Sequence, residues 1–338
     1  MLKRLLFVLI AIALGVTTAS ADEPLMQELQ RRFQSDPLTL GALLQVVGNY
    51  ETGDSALVND GFALANLRVL LYGQLDEGWG YFLQTSFIKA PALLDASLRY
   101  RRWKQISFEA GAFKAPFSAE FLTFAGNIDF VNRSQAATLL APGRQVGIAV
   151  RGEFENGLGY AVAALNGNGL RITNDDDRLM AAGRLSYSDT FEGGALLAAV
   201  NAYHSHDTDA PIGVPITGSF IAQGYSGERM GYGADVRMTY RPWLLAAEFI
   251  GSRFDPRGSM RVEPNGYNVT AGYKPTEKTQ ALLRWDSFSG DGAVSDSDLI
   301  IFGFNYWPTL PTEIQLNAVV PTQESRDFQM LVNIQVSF

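Results

Sequence analysis

The chemistry available to this chain lies in its arginines. Cysteine is absent, so there is no thiolate nucleophile and no disulfide framework, and two histidines in 338 residues leave little for histidine-based metal or acid–base sites. His204-Ser205-His206 could present a metal edge-on, although solvated histidines at a strand end are the simpler reading. The run Asp175-Asp176-Asp177 could hold calcium or bridge lipopolysaccharide through divalent ions, with a solvated loop as its default. No glycine-rich phosphate loop opens a helix, and no serine–histidine pair has an orienting partner, so no catalytic residue, metal or cofactor is expected. Arg68, Arg99, Arg101, Arg151, Arg184, Arg237 and Arg284 fall on the polar side of alternating segments, and Lys114, Arg133 and Arg144 frame one long connection. A guanidinium stays charged at any working pH and offers forked donors to phosphate or carboxylate. Asp95, Glu109, Glu153, Asp235, Glu248 and Asp286 share that side. Two outcomes stay open: a basic track that attracts small anions, or arginines neutralised in salt bridges, giving a mixed surface of weak selectivity.

The elements that must position these groups follow from export and periodicity. Lys3 and Arg4 precede an uncharged apolar run over 5–16, and Ala19-Ser20-Ala21 gives a small-residue cleavage pattern. Residues 1–21 therefore read as a signal peptide, too short for a membrane span and followed by Asp22 and Glu23. Without Lys3 and Arg4, 25 basic residues face 35 acidic ones, a formal charge of −10 that argues against a nucleic-acid partner. Residues 24–34 carry Leu25, Met26, Leu29 and Phe33 roughly on one face and predict a short helix within a periplasmic leader, 22–38.

From residue 39 the period becomes two. In 230–241, Met230, Tyr232, Ala234, Val236, Met238 and Tyr240 alternate with Gly231, Gly233, Asp235, Arg237, Thr239 and Arg241. Sixteen such segments run from 39–50 to 327–338, and every second connection is short while the others are longer and rich in Gly, Asp, Ser and Pro. Tyr72, Trp79, Trp103, Tyr187, Tyr240, Trp243, Tyr273, Trp307 and Phe338 gather beside the short turns, as a membrane-interface girdle would. A soluble β-sandwich would give the same alternation with its faces reversed. The number and length of the strands, with a terminal Phe338 after an export signal, favour an all-β, transmembrane antiparallel β-barrel of about sixteen strands over 39–338, in a Gram-negative outer membrane.

The connection 115–143 is too apolar for a solvated loop, with Phe117, Phe121, Leu122, Phe124, Phe130 and Leu140 among its residues. It could fold inward as a constriction loop, or pack between subunits. Here Gly111-Ala112-Phe113-Lys114-Ala115-Pro116-Phe117-Ser118-Ala119-Glu120, then Ile128-Asp129-Phe130-Val131-Asn132-Arg133-Ser134, then Pro142-Gly143-Arg144-Gln145-Val146-Gly147, resembles the phosphate-selective porin O/P family. The resemblance implies a homotrimeric sixteen-stranded channel with the third long loop in the pore and a preference for anions. One departure stands out: Lys114 is followed by no further lysine through residue 143, whereas the family's phosphate specialists use a lysine cluster. The expectation is an outer-membrane porin for passive diffusion of small hydrophilic solutes and ions, biased toward anions such as phosphate. It would sit among lipid and lipopolysaccharide; the alternative is a non-conducting structural or ligand-binding barrel.

Overall fold

A computed structural model of the chain describes residues 34–35, 37–52, 60–88, 92–171, 173–174, 176–210, 224–292, 295–323 and 327–338. The signal peptide and residues 24–33 of the leader helix lie outside these. Gln34 and Ser35 pair in extended form with Thr39 and Leu38, rather than ending a helix.

Sixteen strands follow in chain order. The first eight are β1 (Leu38–Glu51), β2 (Gly61–Gln74), β3 (Trp79–Ser86), β4 (Leu93–Trp103), β5 (Ile106–Lys114), β6 (Arg144–Glu153), β7 (Leu158–Leu165) and β8 (Met180–Phe191). The second eight are β9 (Gly194–Ala210), β10 (Tyr225–Tyr240), β11 (Trp243–Pro256), β12 (Asn265–Thr276), β13 (Thr279–Ser289), β14 (Ser297–Tyr306), β15 (Thr312–Pro321) and β16 (Gln329–Ser337). Each pairs antiparallel with the next, and β16 returns to β1 in the register Leu331↔Asn49, which closes the barrel. Closure leaves no strand edge, the condition a sheet must meet inside hydrocarbon. Among the described residues no helix is long and apolar enough to cross a membrane.

Burial is inverted relative to a soluble protein. Ile148 is 61% and Val162 60% exposed on the outer face, whereas Glu109 is 3% and Asp286 1% exposed on the inner one. The period-two alternation thus places apolar side chains against lipid and polar ones in the lumen. The turns at 75–78, 104–105, 154–157, 192–193, 241–242, 277–278 and 307–311 share one end with the start of β1 and the end of β16. That short-turn end marks the periplasmic side.

Two expectations need correction. The connection between the ninth and tenth segments reads from the sequence as a loop over 206–229, but its two ends are strand: β9 runs out to Ala210 and β10 starts at Tyr225, in the register His206↔Glu228. These ends carry polar residues on both faces, as a strand rising past the lipid can, so alternation fades before pairing does. In the aromatic ring, Trp79, Trp103, Tyr187, Tyr240, Trp243 and Tyr273 are all well exposed at the short-turn end. Tyr72, however, pairs with Phe82, which lines the lumen, and Trp307 stacks under the Lys274 ammonium at 4.5 Å beside the periplasmic mouth.

Candidate functional site: the constriction loop and its two walls

The loop 115–143 enters the lumen and is held there by two short helices, α1 (Ala119–Leu122) and α2 (Gln135–Leu140). Ser118 caps α1 by accepting from the Phe121 N–H, and Ser134 caps α2 by accepting from Ala137. The approach to the loop depends on Gly111, whose φ of +131° and tight packing leave no room for a side chain: a Cβ there would sit 2.1 Å from the Ala96 carbonyl oxygen.

Apolar anchors fix the loop to one side of the barrel. Phe130, 1% exposed, packs among Leu244, Leu282, Ile301, Val319 and Leu331, inward-pointing apolar residues of β11 and β13 to β16. Phe117 meets Tyr203 edge-on at 5.0 Å. Polar anchors complete the dock. Gln335 donates to the Gly126 carbonyl at 2.8 Å, Gln315 to Ile128 at 3.0 Å and Asn305 to Asp129 at 2.8 Å, while Asn317 accepts from the Val131 N–H at 2.8 Å. Asp286 accepts from the Gln135 N–H at 3.1 Å and Glu248 from the Ala119 N–H at 2.8 Å. A row of lumen amides thus satisfies the backbone of a buried irregular segment.

On this loop-bearing side the candidate arginines are neutralised. Arg184 forks onto Asp235 at 2.6 and 2.7 Å, Arg237 onto Asp129 at 2.6 and 3.0 Å, and Arg284 reaches Glu120 at 2.8 Å. The space between loop and wall here is about 470 Å3.

The opposite side, β2 to β6, is different. Lys114 directs its ammonium at three backbone carbonyls, Phe121, Leu122 and Thr123, at 2.7, 3.0 and 2.9 Å. Arg133 donates to the carbonyls of Glu120 and Thr123 at 2.9 and 2.7 Å, so both cations close the C-terminal end of α1. Burial lowers the Arg133 pKa, the Glu120 carboxylate counters this and Arg144 adds to it; a guanidinium so placed remains charged. Arg68 donates to the Asn66 side chain at 2.8 Å, and Arg144 forks onto Asp95 at 2.9 and 3.1 Å. These four cations act on one another electrostatically, and among the described residues Asp95 is the one carboxylate that forms a salt bridge with any of them.

Toward the periplasm the same wall carries Arg99 and Arg151, each 2.9 Å from the buried Glu109. Arg101 and Lys104 line the same cavity of about 640 Å3. The structure therefore sorts the ten sequence candidates into three groups. Lys114 and Arg133 brace the loop, Arg184, Arg237 and Arg284 sit in tight ion pairs beneath it, and Arg68, Arg99, Arg101, Arg144 and Arg151 line the other wall. Sequence reasoning missed the amide row of Gln45, Asn305, Gln315, Asn317 and Gln335; their shared place on the inward side of β1 and β14 to β16 was the available signal.

A family model described as "Phosphate-selective porin O and P" matches residues 49–327. No curated protein matches in sequence. Among solved structures, an anion-selective porin from Comamonas acidovorans aligns with TM-score 0.67 at 14% identity, over 89% of this chain and 99% of that one. OmpF of Salmonella typhi, solved with daunomycin, gives 0.63 at 12%, over 89% and 97%. OmpT of Vibrio cholerae in a form described as a trimer gives 0.60 at 10%, over 89% and 99%. At these identities the likeness is one of fold.

Proposed function

This chain belongs to the phosphate-selective porin O and P family, and from that premise we propose that it forms a passive outer-membrane channel biased toward small anions without being specific for phosphate. The observation that carries the bias is the cation cluster at the neck of the constriction loop: Arg68, Lys114, Arg133 and Arg144, with Asp95 as their one salt-bridged carboxylate among the described residues. A permeating anion finds an excess of positive charge there, whereas the opposite wall offers ion pairs already closed. Low-dielectric walls strengthen such a field over its value in bulk water.

Phosphate specificity would need donors free to strip water from a highly charged ion. The one lysine of the region has its three N–H groups on loop carbonyls, which supports a general preference for anions instead. Assembly as a homotrimer amid lipid and lipopolysaccharide is part of the same proposal, supported by family membership and by the trimer form of one structural relative.

The test is the reversal potential of purified channels in planar bilayers across a potassium chloride gradient. A potential on the chloride side, reduced by Arg68→Gln, is the expected result. A potential on the potassium side overturns the bias, and a folded barrel that never conducts overturns the channel.

A further inference from the structure

The cavity beside β3 to β7 has two chemically distinct edges, and only one of them is explained by small inorganic anions. Its charged edge is formed by Arg99, Arg101 and Arg151 with Lys104, beside the carboxylates of Asp95, Glu109 and Glu153. Glu109 holds Arg99 and Arg151 through their Nε atoms at 2.9 Å each. Among the described residues no hydrogen bond occupies the terminal Nη nitrogens of either guanidinium, nor any nitrogen of the Arg101 side chain. The forks are thereby positioned but left open toward the lumen.

The second edge is apolar. Phe82 lies under the Arg99 guanidinium at 5.8 Å and Phe113 under that of Arg151 at 5.5 Å. The loop adds Leu122 and Phe124 from above, on the same cavity of about 640 Å3. A hydrated chloride or phosphate would engage the forks and leave these carbons wet. A carboxylate attached to a flat apolar body would satisfy both edges, its oxygens on the arginines and its ring against Phe82 and Phe124.

We propose that this slot is a binding subsite for aromatic monocarboxylates on their way through the channel. The proposal rests on the channel reading but adds to it a class of solute that an anion bias alone does not select. The slot has the volume for a single-ring carboxylate, and its open side keeps residence short enough for passage.

The experiment measures block of potassium chloride current in planar bilayers by four probes: benzoate, acetate, benzyl alcohol and inorganic phosphate. Benzoate should half-block at about tenfold lower concentration than acetate, the gain expected from covering part of one ring. Phe124→Ala, and independently Phe82→Ala on the wall, should bring the benzoate-to-acetate ratio toward one. Arg101→Gln should weaken both carboxylates together. Equal block by benzoate and acetate, by benzoate and benzyl alcohol, or tighter block by phosphate than by benzoate would overturn the proposal. Saturation-transfer NMR on the detergent-solubilised protein reads the same ratios without current. A folded but silent barrel would sink the channel reading, and the NMR ratios would still decide the slot.

Discussion

Replacing Glu109 with glutamine should make the channel more anion-selective, and the size of the effect can be worked from the lumen geometry. Glu109 is 3% exposed and accepts from Arg99, Arg151 and Ser97, each at 2.9 Å. Glutamine preserves the shape and one acceptor while removing a single negative charge. Arg99 is half exposed and stays hydrated, so the cost of an unpaired buried cation is only partly incurred. For a permeating ion about 8 Å away, a unit charge contributes about 0.5 kcal/mol in water, and screening at about 0.1 M salt reduces that to roughly 0.2 kcal/mol. Anion and cation shift in opposite senses, so the permeability ratio should rise about twofold, or about fivefold if the wall halves the effective dielectric. The assay is the reversal potential in a dilute potassium chloride gradient, repeated near 1 M, where a Debye length of about 3 Å should erase the difference. An unchanged or lowered anion preference, in a variant that conducts and keeps the heat-modifiable mobility of a folded barrel, would refute the idea that Glu109 restrains the field of the two arginines.

Three further outcomes follow from the loop. Lys114→Met leaves the Phe121 and Leu122 carbonyls without their side-chain donor, while Thr123 keeps Arg133, at a cost of roughly 1 kcal/mol or more each, and should give noisier openings and proteolysis within 115–143. Phe130→Ala removes the ring among Leu244, Leu282 and Ile301, about 3–5 kcal/mol of anchoring, and should raise single-channel conductance as the loop loosens. Gly111→Ala would drive a Cβ into the Ala96 carbonyl and should abolish the folded, heat-modifiable form on gel electrophoresis altogether.

Much of the barrel was readable because lipid enforces a rule on every strand: outward positions must be apolar, and period two records it. The rule fails where something other than lipid or water meets a strand. Leu331 stands in the otherwise polar inward set of β16 because Phe130 of the loop packs on it, and Leu282 and Ile301 are inward for the same reason. No local pattern announces a partner more than a hundred residues away. The same distance hid the pairing of the arginines. Type and parity placed Arg237 and Arg151 alike on the polar side, yet one closes on Asp129 of the loop and the other on Glu109 of the neighbouring strand, with its fork left open. Lys114 was legible as a motif residue, but its role in capping α1 depends on where the loop turns back.

The loop's position also reconciles an acidic chain with the anion bias proposed for its lumen. The formal charge of the whole chain is −8, but Asp176, Asp177, Asp291 and Asp296 sit on the outer connections rather than on the inward side of a strand. What a permeant feels is the local balance, and that balance depends on which wall the loop covers. By docking on β9 to β16 through amides and closed ion pairs, the loop sets Asp129 and Glu120 against Arg237 and Arg284, and leaves the arginines of β2 to β6 facing the open path. On the proposed reading, selectivity follows from where 115–143 docks, and a variant that frees the loop should lose anion preference and constriction together.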